Sequence, residues 1–225
     1  MRKEGAGMAT GKLASWTLSE EFLDEERLFA VPGVCERARE RGSAIGLPPV
    51  LAGSAAHARS VVALLGARAI VQVGAGAGAL SLYLASAMGS DATLTAIDSE
   101  PENVRLVREA CTEAKIPEAR VRTINAQPLE VFTRLTRGAY DMIVVNASEP
   151  KLDALVEGAL NILRSGGALV VMNVMHHDRL GDPAANDPQT TRIREVVTGL
   201  NEREDLVVSM SPAGDGVLTA VKARL

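Results

Sequence analysis

Aromatic residues are scarce: Trp, Tyr and Phe together make up 3% of the 225 residues. A hydrophobic core here has to be assembled from Ala, Val, Leu and Ile. The two cysteines, Cys35 and Cys111, form no CxxC pair and belong to no Cys/His cluster at zinc spacing. That excludes a disulfide framework and a structural zinc, and it fits a reducing, cytoplasmic setting. No apolar run approaches the ~20 residues that a membrane-spanning helix needs. Basic charge is not in surplus either, with 24 Lys and Arg against 28 Asp and Glu and a formal net charge of −4. A dedicated binder of nucleic acid or of membrane surfaces would show the opposite balance. No repeat with a period of 20–50 residues appears, which excludes solenoids and propellers. The opening stretch, residues 1–15, carries basic residues with no apolar segment behind them. It is read as a flexible leader rather than a signal peptide, with Met8 as an alternative start.

What is present is a globular composition, 47% hydrophobic and 23% charged, of a length that suits one domain. We assign residues 16–225 to that domain, with N-terminal helices over 16–66 and an α/β core over 67–225. In the first part, Thr17 and Ser19 precede Glu20 and Glu21, acids that suit a helix start, and Phe22, Leu23, Leu28 and Phe29 supply an apolar side. Helices follow over 34–41 and 55–65, the first stopped by Gly42 and Leu47-Pro48-Pro49 and the second by Gly66. From Ala69 the texture changes to short β-branched runs, 70–73, 93–97, 121–124, 142–145 and 168–171. Helical patterns near 79–88, 101–115, 128–136 and 150–164 separate them. Continuous apolar strands joined by helical crossovers predict a parallel sheet covered on both faces. After a helix near 188–201 the rhythm breaks, and 206–210 and 217–221 flank a Pro/Gly-rich turn as a terminal hairpin.

The first strand runs directly into Gly74-Ala-Gly76-Ala-Gly78-Ala79, and a helix opens at once. Glycines there allow a tight turn and let a ligand approach the backbone in front of a helix N-terminus. Asp98 ends the second strand and can accept both hydroxyls of a ribose. A plain strand-to-helix turn would need only one or two glycines, so the pattern favours a nucleoside cofactor. The loop by itself also satisfies the GxGxxG/A dinucleotide fingerprint and leaves a nicotinamide-dependent oxidoreductase open.

Two further features separate these readings. Leu163-Arg-Ser-Gly-Gly167 ahead of a strand, and the terminal hairpin, belong with S-adenosylmethionine-dependent methyltransferases. The stretch Gly181-Asp-Pro-Ala-Ala-Asn-Asp-Pro188 is close to a loop of the small bacterial branch of the cation-dependent O-methyltransferases. From about Leu47 to Leu225 the chain resembles that family, which includes catechol and caffeoyl-coenzyme A enzymes. The resemblance implies a Rossmann-like class I methyltransferase fold, a seven-stranded, mostly parallel sheet in the order 3-2-1-4-5-7-6 with an antiparallel C-terminal hairpin. It implies S-adenosylmethionine as cofactor, a small-molecule acceptor and a homodimer. Gly74, Gly76 and Gly78 would lie beside the methionine part, Asp98 would hold the ribose, and Ala126 and Gln127 would border the adenine. Gln72 and Leu80 stand where the branch has Glu and Ser, and Ser81 is a partial substitute for the missing serine.

The family's divalent cation is held by two aspartates and an asparagine at the ends of the fourth and fifth strands. Here the matching residues are Asn146, Met172 and Asn173. Both carboxylates are gone, a thioether is a poor ligand for a hard cation, and no metal is expected at that site. The family motif DADK becomes Asn146-Ala147-Ser148-Glu149, with an acid in place of the usual lysine. Glu149, His177 and Asn146 are the candidate catalytic residues, Asn146 being also a candidate cofactor contact. His176 is a further candidate base, and Asp178 and Asp182 could offer oxygens to a displaced ion. The expected activity is O-methylation of a small hydroxylated acceptor without the metal. The alternatives are a cofactor-binding or regulatory protein without turnover and, against the acidic balance, an RNA-modifying enzyme.

Overall fold

In a computed structural model the chain is described over residues 15, 16, 18–20, 22, 23 and 26–223. Helices α1 (Val34–Ala44) and α2 (Ala52–Leu65) lead into an alternation of β1 (Ala69–Val73), α3 (Ala79–Ala87), β2 (Thr93–Asp98), α4 (Pro101–Glu113), β3 (Val121–Asn125), α5 (Pro128–Phe132), β4 (Tyr140–Asn146), α6 (Leu152–Ile162) and β5 (Leu163–Met172). Then come α7 (Pro188–Asn201), β6 (Leu206–Ser211) and β7 (Val217–Lys222). The seven strands form one sheet in the order β3-β2-β1-β4-β5-β7-β6. Strands β1 to β5 pair in parallel, and β7 pairs antiparallel with both β5 and β6. This is the order and handedness of pairing that the resemblance implies.

The central strands β1, β4 and β5 are mostly apolar because both faces are covered, whereas the edge strands β3 and β6 are partly exposed and carry polar residues. On β4, Met142 and Val144 point into a core shared with α1 to α4, while Ile143 and Val145 point into a second core shared with α5 to α7. Val73 pairs with Ile97 and with Val145, and Asn146 pairs with Met172, so the carboxyl ends of β1, β2, β4 and β5 arrive at one edge. The opposite edge is fastened by Asp141, whose carboxylate accepts the backbone N–H groups of Arg68 (2.8 Å) and Ala69 (2.7 Å) and the Arg164 side chain. Burial alone would raise the Asp141 pKa, but the Ala69 N–H, the Arg164 guanidinium and the Arg68 N–H together hold it below the usual carboxylate value.

Element boundaries depart from the sequence reading in three instructive places. Strand β5 starts at Leu163, directly after α6, so Arg164-Ser-Gly-Gly167 lies within the strand rather than ahead of it. Gly167 is required there because a Cβ would come within 2.8 Å of the Asp141 carbonyl oxygen. Helix α5 stops at Phe132 instead of running to 136.

The predicted first helix divides as well. Residues 15, 16 and 18–20 are helical, the chain turns at Phe22, and Glu26–Leu28 forms one 3-10 turn. Leu28 and Phe29 therefore pack on the core while Phe22 stays 90% exposed. Glu20 is no helix-start acid: its Oε1 accepts the backbone N–H of Gly214 at 2.9 Å and the Trp16 Nε1–H at 2.6 Å, tying this segment to the β6–β7 turn. The leader assigned to 1–15, with Met8, lies outside the described residues except for Ser15.

Candidate functional site

The glycine loop sits where β1 ends, and its three glycines do different things. Gly74, Gly76 and Gly78 all have positive φ, 75°, 54° and 91°. Gly78 faces inward, where a Cβ would lie 3.0 Å from the Val107 Cα and 3.0 Å from the Ala110 Cβ of α4. Gly76 faces open space, with nothing within 4 Å of an added Cβ. Gly74 faces Glu149, whose Oε1 would collide with a Cβ there. Gly78→Val should thus act on the fold rather than on a ligand. Left-handed strain and a backbone clash together should cost about 3 kcal/mol or more, read by denaturant unfolding.

Asp98, 6% exposed, is held from three sides. The Gly76 N–H donates to Oδ2 at 3.2 Å, the Glu100 N–H to Oδ1 at 2.9 Å, and the Asn103 Nδ2 to Oδ2 at 3.1 Å. A carboxylate has about four lone-pair sites, so three donors leave room for another. Asn103 was not among the sequence candidates, although Pro101 at the helix start places it on the first turn of α4, facing the end of β2. Ala126 donates its N–H to the Asp98 carbonyl oxygen at 3.1 Å, and exposed Gln127 precedes α5, so both follow β3 at the same edge.

Gln72, Gly74, Gly76, Asp98, Asn146 and Glu149 line one cleft. Leu47-Pro48-Pro49-Val50 also line it, and Leu47-Pro48-Pro49 reads in the sequence only as a helix stop. Ser81 does not reach this cleft. It is fully buried and donates its hydroxyl to the Gln72 Oε1 at 2.8 Å, while Leu80, one residue earlier on α3, lines the cleft instead. Adjacent helical residues are turned by about 100°, so a neighbour cannot inherit a missing side chain's direction.

At the ends of β4 and β5 stand Asn146, Met172 and Asn173, all on the cleft. The Asn146 Oδ1 accepts the Ser148 N–H at 2.9 Å, and its carbonyl oxygen accepts the Glu149 N–H at 3.0 Å. That turn swings the Glu149 carboxylate over Gly74. Burial, and next the Asp98 carboxylate, push the Glu149 pKa up to about 7. Met172 is 3% exposed and packed in the core. No group of three His, Cys, Asp or Glu that could hold a metal occurs among the described residues.

His177 lies away from the cleft. His176, His177 and Asp178 all have positive φ (48°, 56° and 64°), and the His177 N–H donates to the Asp215 Oδ1 at 2.8 Å. The His177 side chain is 86% exposed. His176 Nε2 stands 3.7 Å from Asp187, which also caps α7 through the Thr190 N–H and pairs with Arg179. Asp182 accepts the Ala184 N–H in the same loop.

With this geometry in hand, comparison with known proteins is decisive. The sequence profile of the O-methyltransferase family matches residues 50–223. The chain belongs to the O-methyltransferase family. Among its relatives is a protein of Mycobacterium ulcerans named as an O-methyltransferase, 40% identical over 190 residues, which are 84% of each chain. Among solved structures, a Corynebacterium glutamicum protein superposes with a TM-score of 0.82 at 27% identity, over 96% of this chain and 98% of the other. An O-methyltransferase of Bacillus cereus, crystallised with S-adenosylhomocysteine, gives a TM-score of 0.80 at 20% identity, over 93% and 99% of the two chains, and shares the fold. The glycine loop and the strand-end acid lie at the carboxyl edge of the sheet, where ligands of open α/β folds bind. No helix among the described residues is long and apolar enough to cross a membrane.

Proposed function

We propose that the chain binds S-adenosylmethionine in the cleft between Gly76 and Glu149 and methylates the hydroxyl oxygen of a small acceptor without a divalent cation. The observation that carries this reading is the pairing of Gly76 with Asp98. The loop backbone is bonded to the carboxylate, and the space in front of Gly76 is open where any side chain would fill it. Asp98 would hold the ribose, Gly74 and Gly76 would admit the methionine part, and Ala126 and Gln127 would border the adenine. The Bacillus cereus relative, with S-adenosylhomocysteine bound on the same fold, supports the choice of cofactor.

When bound, the cofactor supplies a methyl group on a sulfonium. The acceptor oxygen forms the O–C bond as the S–C bond breaks, the bonding pair stays on sulfur, and the acceptor proton must go to a base. Glu149 is that base in our reading. Of the candidate bases Glu149, His176 and His177 it alone lines the cleft, and a pKa of about 7 suits proton transfer near neutral pH. Asn146 anchors the turn that carries it. The walls at Leu47, Pro48 and Leu80 would exclude water and hold the acceptor in line, a source of large rate gains by itself.

The family's cation does not fit the residues present. The Asn146 oxygen is engaged by Ser148, Met172 offers a buried thioether, and neither carries charge. Activity should remain within about twofold on addition of EDTA, whereas Asn146→Asp with Met172→Asp should introduce magnesium binding measurable by calorimetry, at a cost in stability because position 172 is core. Loss of activity with EDTA, restored by magnesium, would reverse this conclusion. The reading as a whole is tested by calorimetry with S-adenosylmethionine, followed by turnover on a panel of hydroxylated acceptors. Binding without turnover on any acceptor would favour a regulatory protein, and NAD(H) binding in its place an oxidoreductase.

A further inference from the structure

Glu149 is a cleft carboxylate that meets no counter-charge among the described residues. Its side chain makes no hydrogen bond or ion pair among the described residues, lies against Gly74, and is repelled by Asp98. Among the described residues Arg39 is the one basic side chain lining the cleft; it donates to the Val50 carbonyl oxygen at 2.8 Å and to Glu36 at 3.4 Å, and lies 6.0 Å from the centre of the Tyr83 ring. A second carboxylate drawn half out of water beside a first is unfavourable until a cation joins them. Gln72, which also lines the cleft, is fully buried and neutral, so Asp98 and Glu149 are the two carboxylates facing this space among the described residues.

We propose that Glu149 is the counter-ion of the cofactor's sulfonium, so that this cleft tells S-adenosylmethionine from S-adenosylhomocysteine by charge and lets the product go. The inference rests on the function proposed above. Donor and product share the adenine, ribose, carboxylate and amino group and differ in the methylated, cationic sulfur. Turnover removes both charges of the pair at once, since the acceptor's proton neutralises Glu149 while loss of the methyl group neutralises sulfur. The product complex then keeps neither partner of the attraction. A pair of opposite charges in a partly solvated cleft accounts for about one order of magnitude in affinity.

The test is calorimetry on the full chain with three probes: S-adenosylmethionine, S-adenosylhomocysteine and sinefungin, which carries an amine where the sulfonium stands. The unmodified protein should bind the two cationic probes about tenfold more tightly than S-adenosylhomocysteine. Glu149→Gln should bring the three within about twofold of one another, with no fall in melting temperature. Equal affinity of the unmodified protein for S-adenosylmethionine and S-adenosylhomocysteine would overturn the inference while leaving the proposed function standing, and needs no variant to be seen. An equal loss for all three probes in Glu149→Gln would also overturn it, placing Glu149 on the shared amino group. Failure of the unmodified protein to bind any of them would overturn both.

Discussion

Glu149→Gln should lower the rate of methyl transfer by about two to three orders of magnitude, the span typical of a lost general base. Gln fills the same space and keeps hydrogen-bonding capacity, so the loss would report proton acceptance and not shape. In the unmodified protein kcat/KM should rise with pH through about 7, as Glu149 of the free protein becomes ionised, while the limb in kcat lies lower because the bound sulfonium favours the carboxylate, and both limbs should vanish in the variant. Stability should move the other way. The folded-state pKa of about 7 lies above the ordinary glutamate value of 4.5, so the stabilisation that proton uptake provides is complete below 4.5 and is lost as pH rises through 7. At pH 8 the Gln variant escapes that loss and should be more stable by about 2 kcal/mol, on the scale of 1.36 kcal/mol per pKa unit with allowance for partial exposure. Unchanged turnover in Glu149→Gln, with stability also unchanged, would remove the carboxylate from both accounts.

Asp98→Ala should weaken cofactor binding by about one order of magnitude, from one lost hydrogen bond to a carboxylate at ~1.5 kcal/mol, since three of its roughly four acceptor positions are already filled. It should do more than delete a contact. The Gly76 N–H, the Glu100 N–H and the Asn103 amide all lose their acceptor, so the glycine loop would come loose from β2. Asp98→Asn keeps part of that network, because its oxygen can still accept from two donors, and should fall between the two in affinity. Calorimetry giving the same affinity for all three proteins would take Asp98 out of the cofactor site. Hydrogen exchange at Gly76, faster in Asp98→Ala than in Asp98→Asn, would separate the loop effect from the ligand effect.

The parallel sheet was legible because its strands are short β-branched runs between helical patterns, most nearly continuous in β1, β4 and β5, and the final hairpin because two short runs flank a Pro/Gly turn. The glycine loop was legible from spacing, though spacing does not distinguish Gly78, packed on α4, from Gly76, open to the cleft. Directions were harder to foresee. Ser81 and Leu80 are equally placed in the sequence, and the angle between them on α3 decides which one faces the cleft. The reach of Glu149 back over Gly74 depends on the turn that Asn146 makes with Ser148, which a four-residue motif does not specify. In β5, Gly166 and Gly167 resemble a turn because a strand glycine owes its place to a neighbouring backbone, here the Asp141 carbonyl, that is remote in sequence. Glu20, bonded to Gly214 across 194 positions, had no local signal at all.

Strand β4 carries a carboxylate near each end, and the two make opposite demands on the solvent. Asp141, clamped at the amino end, supports the fold while ionised, so its contribution is present above its unfolded value of about 3.8 and fades as pH falls through a still lower folded value. Glu149, just past the carboxyl end, supports the fold while protonated, and its contribution fades on the way up through about 7. Between these limits, in mildly acid solution, one strand is content at both ends. That is also where the proposed base holds its proton and cannot take another. As far as these two carboxylates set the balance, the pH that favours folding is one at which turnover should be slow, and a thermal-shift screen that optimises buffer for stability would steer an assay away from activity.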